Sequence, residues 1–286
     1  MEQFNSSVIR QRFEEGERLH QAGKHVEAAR HYQRVLAMAP EEPRTLHRLA
    51  LIEYDDNQTR AAIVLLERAV QQEPGNAVMF NDLGLAYERQ GQNDEALRNY
   101  ARAVELMPEY ADALINLGNA LAESGQIGPA RAHYERAIAV GRNDARPHYN
   151  LGLIQHESGN LDAAWDNYEM AVALQPNMAQ AWVNLAVLAQ TGGRARGVIE
   201  CYQQALDASP KLAEALHGLA QWHSEQGTLD AAYGLFMRLG RVRCDERKWA
   251  EARSAFQQAL YSSANDAAAL AAIGYSAFHQ GELDTA

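Results

Sequence analysis

Asn116, Asn150 and Asn184 stand 34 residues apart, each inside the word NLG or NLA, and Asp82 precedes them at the same interval. A carboxamide both donates and accepts, so a row of them can hold the carbonyls and amides of an extended chain whatever its side chains are. That is recognition chemistry. Catalytic patterns are missing: there is no HExxH, GxxxxGK or GxSxG, and TGGRARG at 191–197 follows a helical pattern where a phosphate loop would follow a strand. It reads as a turn, with Arg194, Arg196 and Gly197 weakening the start of the next helix. His20, His25 and His31 are close in sequence, yet they lack the i,i+4 spacing and the neighbouring cysteines of a metal site. No metal, no cofactor and no enzymatic activity are expected. Cys201 and Cys244 are the only cysteines, which suits two packing thiols in a reducing compartment.

The elements that would carry the row follow from its period. Pro40, Pro74, Pro108, Pro176 and Pro210 are spaced by 34 or twice 34, and the missing member falls on Arg142. With each proline at position 32, repeats open at Ile9, Pro43, Ala77, Ala111, Ala145, Ala179 and Ala213. Position 8 is Gly or Ala throughout and position 20 is Ala or Val, so the two columns mark where a first helix, A, crosses a second, B. Position 24 is Tyr32, Leu66, Tyr100, Tyr134, Tyr168, Tyr202 and Phe236, large where the crossing is small. Position 15 is Gly23, Asn57, Gly91, Gly125, Gly159, Gly193 and Gly227, the residues that a left-handed end to helix A calls for. The prolines stop helix B.

These columns resemble the tetratricopeptide repeat family. The third repeat matches nearly throughout, with Phe80, Leu83, Gly84, Tyr87, Ala96, Tyr100, Ala103 and Pro108. The resemblance implies an all-α solenoid of stacked antiparallel helix pairs, a right-handed superhelix whose concave face is lined by the A helices. Each repeat would bury its apolar face against a neighbour.

The expected organisation is an extension at 1–8, seven repeats over 9–232, an irregular eighth at 233–266 and a truncated ninth at 267–286. The irregularity arises because Leu239, Gly240, Trp249, Ala252, Phe256 and Ala259 fit a repeat that opens at Tyr233, only 20 residues after the one before. Residues 228–244 would then be helix B of one repeat and helix A of the next. Either the stack changes direction there or the segment is one elongated helix. The final letters, GELDTA, are no polar cap for a solenoid, so a longer parent chain or a helix supplied by another copy is expected.

On helix A, positions 4, 7, 8 and 11 share the face towards helix B, and positions 2, 6, 9 and 13 share the opposite one. The groove candidates are therefore Asp82 and Leu85; Asn116 and Asn119; Arg146, Asn150 and Leu153; and Gln180, Asn184 and Val187. The carboxamides either anchor a ligand's main chain or bond to neighbouring helices and stiffen the stack, and the two roles are compatible. The NLG and NLA words are similar to the repeats of the O-linked N-acetylglucosamine transferase arm, where an Asn ladder holds protein substrates. The clamp that other family members use for a free C-terminal carboxylate is not expected: its slots hold Ile115, Asn119, Asn150, Gln180 and Asn184, with no cation. Trp182, at position 4, is expected in the core, while Trp165 at position 21 could mark a second contact surface.

A net charge of -11 argues against nucleic acid and anionic membrane as partners, since both select for clustered Lys and Arg. No apolar run of signal or membrane-spanning length occurs, so a cytoplasmic location is expected. The reading is an interaction module that binds a peptide or protein segment in its concave groove. The alternatives are the substrate-recruiting arm of a larger enzyme such as a glycosyltransferase, and a self-assembling scaffold.

Overall fold

The computed structural model describes residues 2–141, 143–192, 195–263 and 266–281, without the side chains at 2–6, 195 and 196. Arg142, the Gly193–Arg194 turn, the Arg196 side chain and residues 282–286 of GELDTA lie outside the described residues. Among those described there are sixteen helices and no strand. They pair as α1 (Glu2–Gln21) with α2 (His25–Met38), α3 (Pro43–Asp55) with α4 (Thr59–Gln72), α5 (Ala77–Arg89) with α6 (Asn93–Leu106), and α7 (Ala111–Glu123) with α8 (Ile127–Ala139). The pairs continue as α9 (Ala145–Glu157) with α10 (Leu161–Leu174), α11 (Ala179–Thr191) with α12 (Ala195–Ala208), and α13 (Ala213–Glu225) with α14 (Leu229–Asp245). Last come α15 (Trp249–Ser262) and α16 (Ala267–Gln280). Two compact bodies result, Met1–Arg142 and Asn143–Ala286. Each is an α-solenoid of helix pairs.

The columns explain the pairs. A Cβ added at Gly84 would lie 2.5 Å from the Tyr100 ring, and Gly118 and Gly152 face Tyr134 and Tyr168 in the same way. Position 8 is thus small because the ring at position 24 of the same repeat rests on it. Position 20 is buried to the last atom at Ala28, Ala62, Ala164, Val198 and Ala232. Asn57 takes φ 59° to close the turn that glycine closes elsewhere, and Arg247 does so after α14. Asp144 and Asp266 cap α9 and α16 by accepting from Arg146 N and Ala269 N, which satisfies amides that no helical carbonyl can reach.

Residues 2–8 continue α1 without a break. The segment at 228–244 is one elongated helix, α14, of 17 residues. Its N-terminal part acts as helix B: Ala232 and Phe236 are buried, and the Phe236 ring meets His217 of α13 edge-on at 6.3 Å. Its C-terminal part acts as helix A, with Gly240 under the Phe256 ring of α15. Both expected pairings are therefore made by a single helix, one on each side.

Candidate functional site

The row at position 6 lies on the A helices, and every described member of it is half-buried: Asp82 on α5, Asn116 on α7, Asn150 on α9 and Asn184 on α11. In the first body, Asp82 and Asn116 on the face given to an open groove also bond to the adjoining A helix. In the first body His47 Nε2 and Asp82 Oδ2 are 2.7 Å apart, Asn81 Nδ2 donates to Asp82 Oδ1 at 3.4 Å, and Asn116 Nδ2 donates to Asn81 Oδ1 at 2.9 Å. A continuous polar chain thus links α3, α5 and α7. Position 5 of one repeat meets position 6 of the next, 35 residues on. The sequence reading missed His47 and Asn81, whose polar character at position 5 was the available signal.

The second body repeats the offset with Tyr149 and Asn184. Burial raises the Tyr149 hydroxyl above its usual range, and the Asn184 carboxamide beside it draws it back. Tyr168, wholly buried, is raised by the same burial and lies near the same carboxamide. Even so, Tyr168 Oη and Asn184 Nδ2 are buried atoms without a hydrogen-bond partner. Other rings of the position-24 column are satisfied: Tyr32 Oη donates to Glu17, Tyr134 Oη to Asn119 Oδ1 at 2.8 Å, and Tyr202 Oη to Gln190 Oε1 at 3.0 Å. In Tyr168's repeat position 9 is Leu153, which cannot accept.

The remaining candidates surround the row. Asn119 has its oxygen committed to Tyr134, while Leu85, Leu153 and Val187 are half-buried. Arg146 and Gln180 are exposed, and Arg146 forms a two-pronged ion pair with Asp144, Nε to Oδ1 at 3.0 Å and Nη2 to Oδ2 at 2.5 Å. Asn116 spends its nitrogen on Asn81 and keeps its oxygen. Trp182 corrects the expectation of a core residue. It is only half-buried, because its indole N–H reaches out to the Pro176 carbonyl at 2.8 Å. Trp165 is half-buried as well. Rings of His20 and His25 meet edge-on at 5.2 Å. No described helix is long and apolar enough to cross a membrane.

None of the curated proteins matches the chain. Solved structures do. The subject of "Functional Characterization of Pseudomonas Aeruginosa pilF" aligns with a TM-score of 0.68 at 17% identity, covering 76% of this chain and 99% of that one. YrrB, described as "a TPR protein with an unusual peptide-binding site", aligns at 0.53 and 21%, covering 65% and 96%. Human IFIT1, solved as a dimer with PPP-AAAA, aligns at 0.68 and 17%, covering 97% and 70%. At such identities these likenesses establish the fold. Family models described as "Tetratricopeptide repeat" match residues 19–81, 75–143, 117–179 together with 237–286, and 179–212. Together they cover 19–212 and 237–286, the internal gap at 213–236 running into the double-duty helix α14, and the chain belongs to the tetratricopeptide repeat family.

Proposed function

We propose that the protein is a non-enzymatic interaction module that binds an extended segment of a partner protein along its A helices, with the position-6 side chains touching the ligand's main chain. The observation that carries this reading is the unpartnered amide nitrogen of Asn184. A buried donor with no acceptor costs about 1–3 kcal/mol. Rotation about the soft terminal torsion of Asn184 turns that donor to a ligand carbonyl and recovers the cost. In the first body, taken by itself, the uncommitted oxygen of Asn116 supplies an acceptor for a ligand amide. Asp82, Asn119 and Leu85 add contacts within that body, while in the second body Asn150, Leu153 and Val187 add them beside Asn184, with Arg146 and Gln180 at the edge. The stiffening role is filled by the same side chains, since one carboxamide can serve both.

The likeness of the NLG words to a glycosyltransferase arm keeps a substrate-recruiting role in a larger enzyme as a second reading, in which the same row receives the substrate. Self-assembly is favoured by a different observation, the apolar face of α16, where Leu270, Tyr275 and Phe278 are at least half exposed.

A random-sequence peptide phage library panned on the wild type, then on a variant carrying Asn116→Ala, Asn150→Ala and Asn184→Ala, tests the first reading. Clones selected by the wild type should lose the variant, while its helical circular dichroism stays intact and its stability falls by about 1 kcal/mol for the lost Asn116 to Asn81 bond. Clones that hold the variant equally well would reject the row as a binding surface.

A further inference from the structure

The B-helix side of the second body carries a different feature, and it begins where a structural habit of the repeats breaks. Position 26 is arginine in the other five repeats, and three of these arginines donate to the carbonyl of the preceding repeat's proline, Arg68 to Pro40 at 2.5 Å, Arg136 to Pro108 at 3.1 Å and Arg238 to Pro210 at 3.3 Å, while Arg102 turns to Glu105 at 3.0 Å. The long side chain lies across the furrow between consecutive B helices. In the fifth and sixth repeats the same position is Met170 and Gln204. The carbonyl of Pro176, which an arginine at 204 would take, is held instead by the Trp182 indole.

Without that bracket the furrow between α10 and α12 is open. It forms a cleft of about 800 Å³ lined by Trp165, Trp182, Met170, Cys201, Glu169 and Glu200 among others. Met170 is 47% exposed. Gly197 borders the cleft on α12, and a Cβ there would touch only Ala189 at 3.7 Å, so the backbone does not demand a glycine. Its missing side chain widens the opening. Two carboxylates stand at the rim, and among the described residues neither Glu169 nor Glu200 is paired with a cation. Both face the cleft: burial pushes the Cys201 thiol up to about 11, with Glu200 and Glu169 adding to the shift.

The Trp182 ring and the Met170 side chain, beside two carboxylates that no described cation holds, suit a cation on an apolar stem, which gains ring-quadrupole attraction and an ion pair at once. The size matches a site for a few side chains. We propose that this cleft is a second docking surface, for a segment of a partner protein that presents leucine-like side chains next to arginine. A second copy of the chain is a poor occupant of this cleft, because a chain of net charge -11 offers few cations to meet Glu169 and Glu200.

The test uses two fluorescein-labelled peptides, acetyl-Ala-Leu-Arg-Leu-Arg-Leu-Ala-amide and its counterpart with Glu for Arg, titrated by anisotropy at physiological salt. The arginine peptide should bind saturably and the glutamate peptide should not. Glu169→Gln with Glu200→Gln should weaken binding about tenfold, the scale of two half-exposed charge contacts. Met170→Arg with Gln204→Arg, which places two cations among the cleft residues, should weaken it at least as much. Both variants should keep the wild-type melting curve, and the triple Asn variant should bind the peptide normally, which separates this surface from the A-helix row. Equal binding of the two peptides, wild-type affinity in either cleft variant, or no saturable binding would overturn the proposal. So would a dimer in sedimentation that the two introduced arginines dissociate, since it would assign the cleft to a second copy.

Discussion

At the scale of single residues, the repeat makes its own controls. Tyr168 and Tyr202 occupy one column and both are buried, yet Tyr202 Oη donates to Gln190 whereas Tyr168 Oη has no partner. A buried hydroxyl that gave up water for nothing destabilises the fold, and deleting it removes the penalty. Tyr168→Phe should therefore leave stability unchanged or raise it by up to about 1 kcal/mol, while Tyr202→Phe should lower it by a similar amount. Urea melts of the two variants decide the matter; a larger loss from Tyr168→Phe would mean that its hydroxyl has an acceptor. The site was partly legible at this scale. Position 6 was found because its spacing is the period itself. Its partners at position 5 were not, because a contact between residues 35 apart depends on the phase between two A helices, which no single repeat contains. The cleft was hidden for a related reason: it is defined by the loss of an arginine whose usual acceptor lies 28 residues back.

At the scale of elements, the ends of the paired helices were legible because glycine, asparagine and proline end helices for steric reasons that need no tertiary context. Helix α14 was not, since the columns of a B helix and of an A helix fall on the same run of residues and periodicity cannot say which neighbour each serves. The structure divides the labour along the helix: Phe236 meets His217 of α13, and Gly240 admits the Phe256 ring of α15. The two ends should therefore be separable. Gly240→Leu places a branched side chain in the space of the Phe256 ring, and such overpacking costs about 1–3 kcal/mol. Amide hydrogen exchange in this variant should quicken over α15 and α16 while α13 keeps its protection. Uniform quickening across all three helices would show that α14 couples its neighbours and does not divide them.

At the scale of the whole molecule, the fold alone does not choose between protein and nucleic acid as partner, since a fold-mate was solved with PPP-AAAA. Charge sets the expectation. A phosphate chain binds by releasing counterions to clustered, available cations, and here the net charge is -11. Several of its arginines are also held by carboxylates: Arg48 by Glu17 at 2.9 Å, Arg98 by Glu95 at 2.8 Å, Arg131 by Glu135 at 2.8 Å, and Arg68 by Glu41 at 2.8 Å. Each local carboxylate would have to be displaced before a phosphate could approach. A fluorescein-labelled 5′-triphosphorylated oligoadenylate should thus show no binding tighter than about 0.1 mM at physiological salt, the weak end of non-specific affinity. The arginine peptide, drawn by the opposite sign of field, should bind under the same conditions and weaken as salt screens the cleft carboxylates. If the oligonucleotide bound instead, with an affinity falling steeply in log–log proportion to salt, an unrecognised cationic surface would exist, and the A-helix row would have to be reconsidered as a platform for bases.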